Sequence, residues 1–182
     1  METIALFGGS FDPPHIGHEA IVRAVLDLEY IDKVIIMPTF LNPFKSKSHA
    51  SSKLRLKWLK EIFSSYNNVE ISSYEVDLNK KVSSIQSVKH LLKKYKKVYL
   101  IIGADNLESL PKWDRYKELK KLVTFIIASR HKIELADSLL TLDIDVDVSS
   151  TQLRESMDIS KLSKKCATQI SQYYKETNAT KN

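Results

Sequence analysis

Thr3-Ile-Ala-Leu-Phe-Gly-Gly-Ser-Phe-Asp-Pro-Pro-His15-Ile-Gly-His18 is the stretch from which the fold can be read. Ile4 to Phe7 form a short continuous apolar run, as in a buried strand. Gly8 and Gly9 let the backbone turn tightly, and from Ile16 onward apolar residues recur at helical spacing. A strand, a glycine-rich loop and a helix in that order open the loop onto a helix N-terminus. The free backbone N–H groups and the positive end of the helix dipole make such a terminus an anion site before any side chain is counted. His15 and His18 lie three residues apart, so both imidazoles face one side of the first turn. Gly17 between them leaves room for a ligand or another segment to come close. Two imidazoles on such a loop suit triphosphate chemistry.

Outward from this stretch, short apolar runs alternate with amphipathic ones. Strands are expected at Ile4–Phe7, Lys33–Met37, Val69–Ser72, Val98–Ile102, Val123–Ala128 and Ile144–Val148, with β-branched residues prominent in most. Ile21, Val25 and Leu28 mark one helix; Leu54, Trp58, Leu59, Ile62 and Phe63 a second; Ile85, Val88, Leu92 and Tyr95 a third. The tail from Ser160 to Asn182 reads as a helix striped by Cys166, Ile170 and Tyr173 or Tyr174, with a polar end expected to fray. Strand and helix in turn predict an α/β fold, a Rossmann-like doubly wound parallel sheet with helices on both faces. One domain over residues 1–182 is expected, ending in a small C-terminal helical segment at about 150–176. Ligands in this architecture sit outside the carboxyl ends of the strands, where strand order reverses.

Composition agrees with a small soluble enzyme. Lys and Arg total 28 against 22 Asp and Glu, a formal charge of +6, and lysines spread over presumed helix faces read mostly as solvated surface. No run approaches the roughly eighteen apolar residues of a membrane span, and the first residues lack a basic secretory region, so a cytoplasmic location without a membrane partner is expected. The single cysteine, Cys166, has no internal disulfide partner, and no Cys/His cluster has zinc-ligand spacing.

Three further loops after strands carry suggestive chemistry. Pro38-Thr-Phe-Leu-Asn-Pro-Phe-Lys-Ser-Lys-Ser-His49 is too polar and interrupted for regular structure; Lys45 and Lys47 read either as mobile phosphate clamps or as solvated lysines. In Ile102-Gly103-Ala-Asp105-Asn106, the Asp105 carboxylate either accepts from ribose hydroxyls or caps the next helix. Val148-Ser149-Ser150-Thr151-Gln-Leu-Arg154 reads as a helix start with a guanidinium one turn in, a second phosphate site.

Gly9, Phe11, Pro13, His15, Gly17 and His18 fill the six fixed positions of a pattern, G-x-F-x-P-x-H-x-G-H, that resembles the signature of the nucleotidyltransferase superfamily. A chance match anywhere in the chain is on the order of one in a million. Ile101-Ile-Gly-Ala-Asp-Asn-Leu through Trp113, and the string Ser149-Ser-Thr-Gln-Leu-Arg154, resemble segments of bacterial nicotinate mononucleotide adenylyltransferases, as does the doubled Gly8-Gly9. The likeness runs from Ile4 to about Met157. It implies adenylyl transfer from ATP to nicotinate mononucleotide, giving nicotinate adenine dinucleotide and pyrophosphate in NAD biosynthesis, with Mg2+ arriving on ATP. It implies His15, His18 and Arg154 as catalytic residues on the triphosphate, and Gly8, Gly9, Ser10 and Phe11 along the ATP loop. Gly103 and Asp105 would lie near the adenosine, and Ser149, Ser150 and Thr151 at the phosphates. Lys45 and Trp113 would serve the mononucleotide, with Trp113 stacked on the pyridine ring; its other reading is a helix-packing tryptophan. One departure stands out: Asn42-Pro43-Phe44-Lys45 has phenylalanine where the family often has histidine. Either Lys45 alone supplies the loop's cation, or His49 reaches in.

The chemistry can be argued without the family. A phosphate monoester is already ionised at neutral pH, with a second pKa of about 6, so no general base is needed. No Ser-His-acid arrangement is seen, and Asp143, Asp145 and Asp147 look like one face of a strand. Donors and cations that hold phosphates are what positioning and electrostatic catalysis require. A nicotinamide mononucleotide or phosphopantetheine acceptor is the alternative within this chemistry. A non-catalytic nucleic-acid-binding module is the alternative from another class, suggested by Lys93-Lys94-Tyr-Lys-Lys97; without an RNA-binding signature, no nucleic-acid partner is expected. Oligomeric state is not legible.

Overall fold

The computed structural model describes residues 1–129 and 140–179; the chain end for which fraying is expected lies partly outside them, at 180–182. Six strands form one sheet: β1 (Thr3–Gly9), β2 (Lys33–Pro38), β3 (Val69–Ile71), β4 (Lys97–Gly103), β5 (Val123–Ser129) and β6 (Leu140–Asp143). Every pairing among them is parallel, in the order β3-β2-β1-β4-β5-β6. The described helices are α1 (Ile16–Leu26), α2 (Ser52–Ile62), α3 (Tyr74–Asp77), α4 (Ser84–Leu91), α5 (Tyr116–Leu122), α6 (Ser150–Ser156) and α7 (Ala167–Ala179).

Central strands covered on both faces need apolar side chains at every position, which is why they read as continuous apolar runs. Ala5, Phe7, Val34 and Ile36 point to one face, against Val22 and Val25 of α1, Trp58 and Leu59 of α2 and Ile170 of α7. Ile4, Leu6, Ile35 and Met37 point to the other, against Ile85 and Val88 of α4 and Leu119 of α5. Each such fully buried branched side chain contributes about 1.5–3 kcal/mol relative to exposure. The doubly wound arrangement is therefore as predicted. The chain winds outward from β1 through β2 to β3 and then crosses back to β4 on the other side of β1, so strand order reverses there and a crevice opens between β1 and β4 at their carboxyl ends.

The expected strand at Ile144–Val148 is corrected. Within this segment and among the described residues, only the Ile144 amide reaches the sheet, at the Ser129 carbonyl (2.8 Å); the Val146 and Val148 amides turn back to the carbonyls of Ile144 (2.8 Å) and Val146 (3.2 Å). These are three-residue turns. The sixth strand is Leu140–Asp143 instead, its register with β5 ending at the pair Ser129 and Asp143. The alternation still has a physical meaning, since Ile144 and Val148 are buried while Asp145 and Asp147 are exposed.

The C-terminal segment is helical in pieces rather than continuous. α6 is followed by a 3-10 turn at Ile159–Lys161, and the helix expected from Ser160 begins at Ala167 and runs to Ala179. Its predicted stripe holds: Ile170 and Tyr174 are buried, with Cys166 buried just ahead of the helix. The third predicted helix stops at Leu91, and Tyr95 is buried beyond its end.

Candidate active site

The crevice between β1 and β4 is a cleft of about 450 Å3 lined by the histidine loop, by Gly103, Ala104 and Asp105 after β4, by Ser129 after β5, and by Ser149 and Ser150. Asn42 to Lys45, Glu75, Ser83, Ser84 and Trp113 line it as well. Segments far apart in sequence meet there because each follows the carboxyl end of a strand or caps a helix pointing at it.

His15 is the N-cap of α1 and is buried. Its ring stacks on His18, with centroids 3.7 Å apart. The His15 backbone N–H donates to His18 Nδ1 (3.1 Å). That bond settles a chemical point, because a neutral imidazole that accepts at Nδ1 carries its proton on Nε2. His18 is thus held as an Nε2–H donor. Phe11 packs edge-on against His18 at 4.8 Å and against Phe7 at 5.2 Å. Phe11 sits at φ 49°, a left-handed conformation costing about 1–3 kcal/mol for a bulky residue, and its buried ring is what holds it there.

Gly17 is required by close approach. A Cβ at this position would lie 2.9 Å from Val148 Cγ1 and 3.1 Å from His15 Cε1 and Nδ1. Gly17→Ala is expected to push the His15 ring aside and lower kcat/KM by about 10²-fold, while unfolding free energy falls by only about 1–3 kcal/mol. Steady-state kinetics beside urea unfolding checks this, and an unchanged kcat/KM would overturn it.

A buried polar frame that sequence reasoning missed lies beneath the loop. Arg55 of α2 has no exposed surface and donates to the carbonyls of Ala50 (3.1 Å), Thr39 (2.8 Å), Phe40 (3.0 Å) and Ser10. It therefore ties the histidine loop to the loop after β2. Asp12 is also buried; it accepts from the amides of His49 (2.7 Å) and Ala50 (2.9 Å) and from the Tyr174 hydroxyl. Burial acts to raise the Asp12 carboxyl, but the Tyr174 hydroxyl, the two amides and the Arg55 charge outweigh it and hold the group below its ordinary value of 3.8. Through Tyr174, α7 braces the active-site loop.

A carboxylate with a depressed folded pKa contributes stability above its unfolded pKa and loses it as pH falls through the folded value. Tyr174→Phe removes one donor to that carboxylate and is expected to cost about 1.5–3 kcal/mol at neutral pH. The gap between the variant and the unsubstituted protein should shrink as pH drops below 3.8, the ordinary value from which Asp12 is lowered. Thermal unfolding from neutral to acid pH tests the sign; a gap that widens in acid would contradict it.

Of the residues singled out from sequence, Gly8, Gly9, Ser10, Phe11, His15, His18, Lys45, Gly103, Asp105, Trp113, Ser149 and Ser150 all line the cleft. Thr151 and Arg154 do not. The Arg154 guanidinium donates to the Asp12 carbonyl and to Thr151 Oγ1 (3.1 Å), and Ser150 Oγ donates to the Pro13 carbonyl (2.9 Å), so α6 is seated on the histidine loop. Asp105 lies within a 3-10 turn at Ala104–Asn106 rather than capping it, since Gly103 is the N-cap. His49 is not among the cleft residues; its Nδ1 faces Asp12 Oδ2 at 3.5 Å, which leaves Lys45 as the cation of that loop in the cleft. Trp113 joins both its readings, packing against the core while lining the cleft, with Nε1 buried and without a hydrogen-bond partner. Glu75 was not anticipated. It is buried, accepts from Ser87 Oγ at Oε1 (2.7 Å), and burial pushes its carboxyl up to about 7 against that bond.

A parallel sheet in this order, with paired histidines on a glycine loop at its switch point, defines a nucleotidyltransferase. The cytidylyltransferase-like family model matches residues 6–156. A relative from Sulfurimonas denitrificans, named probable nicotinate-nucleotide adenylyltransferase, is 60% identical over 97% of each chain. One of the same name from Campylobacter fetus is 48% identical over 97% of this chain and 99% of its own. Among solved structures, the Plasmodium falciparum nicotinic acid mononucleotide adenylyltransferase complexed with NaAD superposes with a TM-score of 0.77 at 17% identity, covering 98% and 97% of the two chains, a likeness of fold. The chain belongs to the nicotinate-nucleotide adenylyltransferase family of nucleotidyltransferases.

Proposed function

We propose that the protein transfers the adenylyl group of ATP to nicotinate mononucleotide, forming nicotinate adenine dinucleotide and pyrophosphate in NAD biosynthesis. The observation that carries this reading is a single cleft lined by both the fixed His18 donor and Trp113, in a chain of this family. A phosphate oxygen of the mononucleotide attacks the α-phosphorus, and the bond to the bridging oxygen breaks with its electron pair leaving on pyrophosphate. His18 Nε2–H donates to the α-phosphate oxygens as charge grows on them, and His15 holds His18 in that tautomer while flanking the β-phosphate. Gly8 and Gly9 let the triphosphate lie close to the loop backbone, with Ser10 and Phe11 beside it. Gly103 and Asp105 take the adenosine, with the carboxylate accepting from ribose hydroxyls. Ser149 and Ser150 lie at the phosphates; Thr151 and Arg154, which stand outside the cleft wall, join them once the guanidinium leaves the Asp12 carbonyl for the triphosphate. Lys45 meets the mononucleotide phosphate, and Trp113 stacks on the pyridine ring.

Magnesium enters as part of the ATP substrate and offsets phosphate charge. Among the described residues no group of three or more His, Cys, Asp or Glu side chains is arranged to hold a metal ion. No described helix is long and apolar enough to cross a membrane. The test is pyrophosphate release from ATP and magnesium with nicotinate mononucleotide, nicotinamide mononucleotide and phosphopantetheine offered in parallel. A large preference for the first is expected; release only with another acceptor overturns the pyridine assignment, and none with any overturns the reaction.

A further inference from the structure

Glu75 is unlike the other carboxylates among the described residues. Its side chain is on α3, only 5% of the residue is exposed, and it lines the cleft beside Ser83, Ser84 and Trp113. One oxygen, Oε1, accepts from Ser87 of α4; the other, Oε2, is buried with no hydrogen-bond partner. A second polar atom of the cleft wall, Trp113 Nε1, is in the same condition. Buried polar groups are almost always paired, so two orphans on one cavity wall point to a ligand that pairs with them. Both lie on the side of the cleft assigned above to the mononucleotide.

We propose that Glu75 reads the substituent on the acceptor's pyridine ring, donating a hydrogen bond from Oε2 to a ring carboxylate. The inference rests on the acceptor assignment made above and deepens it. With Ser87 already donating to Oε1, a neutral Glu75 has its proton free on Oε2, and a bond from it to a carboxylate is charge-assisted. An ionised Glu75 repels a ring carboxylate and accepts instead from the N–H of a carboxamide. Protonation thus decides which acceptor is preferred. The neutral form is favoured by the surroundings: a buried carboxylate with one hydroxyl donor and no cation is costly to ionise.

The charged groups around it leave that balance intact. α3 packs on β2 and α2 and is bonded to α4 through Ser87. β2 carries Lys33, which pairs with Glu2 and Glu70. α2 carries Lys53, Lys57, Lys60 and Glu61, and Arg55, which is spent on carbonyls. α4 carries Lys89, paired with Glu118, and His90, stacked on Tyr74 at 3.8 Å. On α3 itself Asp77 takes the Ser73 hydroxyl, and on the cleft side Lys45 and Asp114 complete the set. None of these makes a hydrogen bond or ion pair with Glu75.

The experiment compares kcat/KM for nicotinate and nicotinamide mononucleotides between about pH 6 and about pH 8.5, in the unsubstituted enzyme and in Glu75→Gln. Taking the ratio cancels ionisation of ATP and of the phosphate that both acceptors share. The nicotinate-to-nicotinamide ratio is expected to fall by about tenfold or more as pH rises in the unsubstituted enzyme. In Glu75→Gln, whose amide donates at every pH and leaves His90 in place, the ratio should keep its nicotinate preference and stay flat. A flat ratio in the unsubstituted enzyme overturns the proposal without any variant, and so does an equal slope in both. If the enzyme turns over neither mononucleotide, the acceptor assignment fails and takes this inference with it; turnover with a flat ratio fails this inference alone.

Discussion

His18→Ala is expected to lower kcat by about 10²–10³-fold, the usual cost of one donor aimed at charge that develops in the transition state, with KM for both substrates within about threefold of the original. The reason is specific to the site. His18 is held by the His15 amide on Nδ1 and by the stacked His15 and edge-on Phe11 rings, so its Nε2–H is aimed before substrate arrives. A donor that strengthens its bond only as the α-phosphate gathers charge affects turnover more than ground-state binding. Steady-state kinetics of pyrophosphate release measures the split. Loss confined to KM would remove His18 from the chemistry and make it a binding residue.

The second large effect is expected at Arg55, which touches no cleft surface. Arg55→Ala leaves the carbonyls of Ser10, Thr39, Phe40 and Ala50 without their donor, and unfolding free energy should drop by about 3–5 kcal/mol, the range for breaking a buried charged network. For a chain of this length that corresponds to roughly a 10 °C fall in Tm. Arg55→Lys is the sharper variant. An ammonium keeps the charge, but as a compact point donor it lacks the fork that spans carbonyls on two loops. It is expected to fold, to lose part of that stability, and to lose kcat/KM because the histidine loop and the Lys45 loop are no longer fastened to each other. A lysine variant as stable and as active as the original would show that Arg55 is only a space-filling residue.

Local pattern carried much of the fold and of the cleft. The run Ile4–Phe7, Gly8-Gly9 and the helical spacing from Ile16 specify strand, turn and helix through near neighbours alone, as do the central strands β2, β4 and β5. Helix N-caps such as His15 and Ser149 obey the same short-range logic. Because a doubly wound sheet gathers its strand ends at one edge, naming the loops after strands was enough to name most of the cleft.

What local pattern does not contain is the partner at a distance. Arg55 reads as one more solvated cation among Lys53, Lys57 and Lys60, because backbone carbonyls leave no side-chain signature to find. Asp12 reads as a turn residue, since Tyr174, its hydroxyl donor, stands 162 positions further on. Glu75 needed the burial of α3 against the sheet before its lone Ser87 bond meant anything. Ile144–Val148 has a strand's alternation, yet its Val146 and Val148 amides bond back to the carbonyls of Ile144 and Val146 within the segment itself. Sequence by itself therefore determined the doubly wound sheet and the paired histidines, which follow from periodicity and spacing, whereas the place of Trp113 near the site came only from the resemblance to the family. Only the tertiary structure decided which tautomer His18 holds, which buried groups fasten the loops, and which carboxylate is buried in the cleft wall, because hydrogen-bond partners and desolvation depend on residues far apart in the chain.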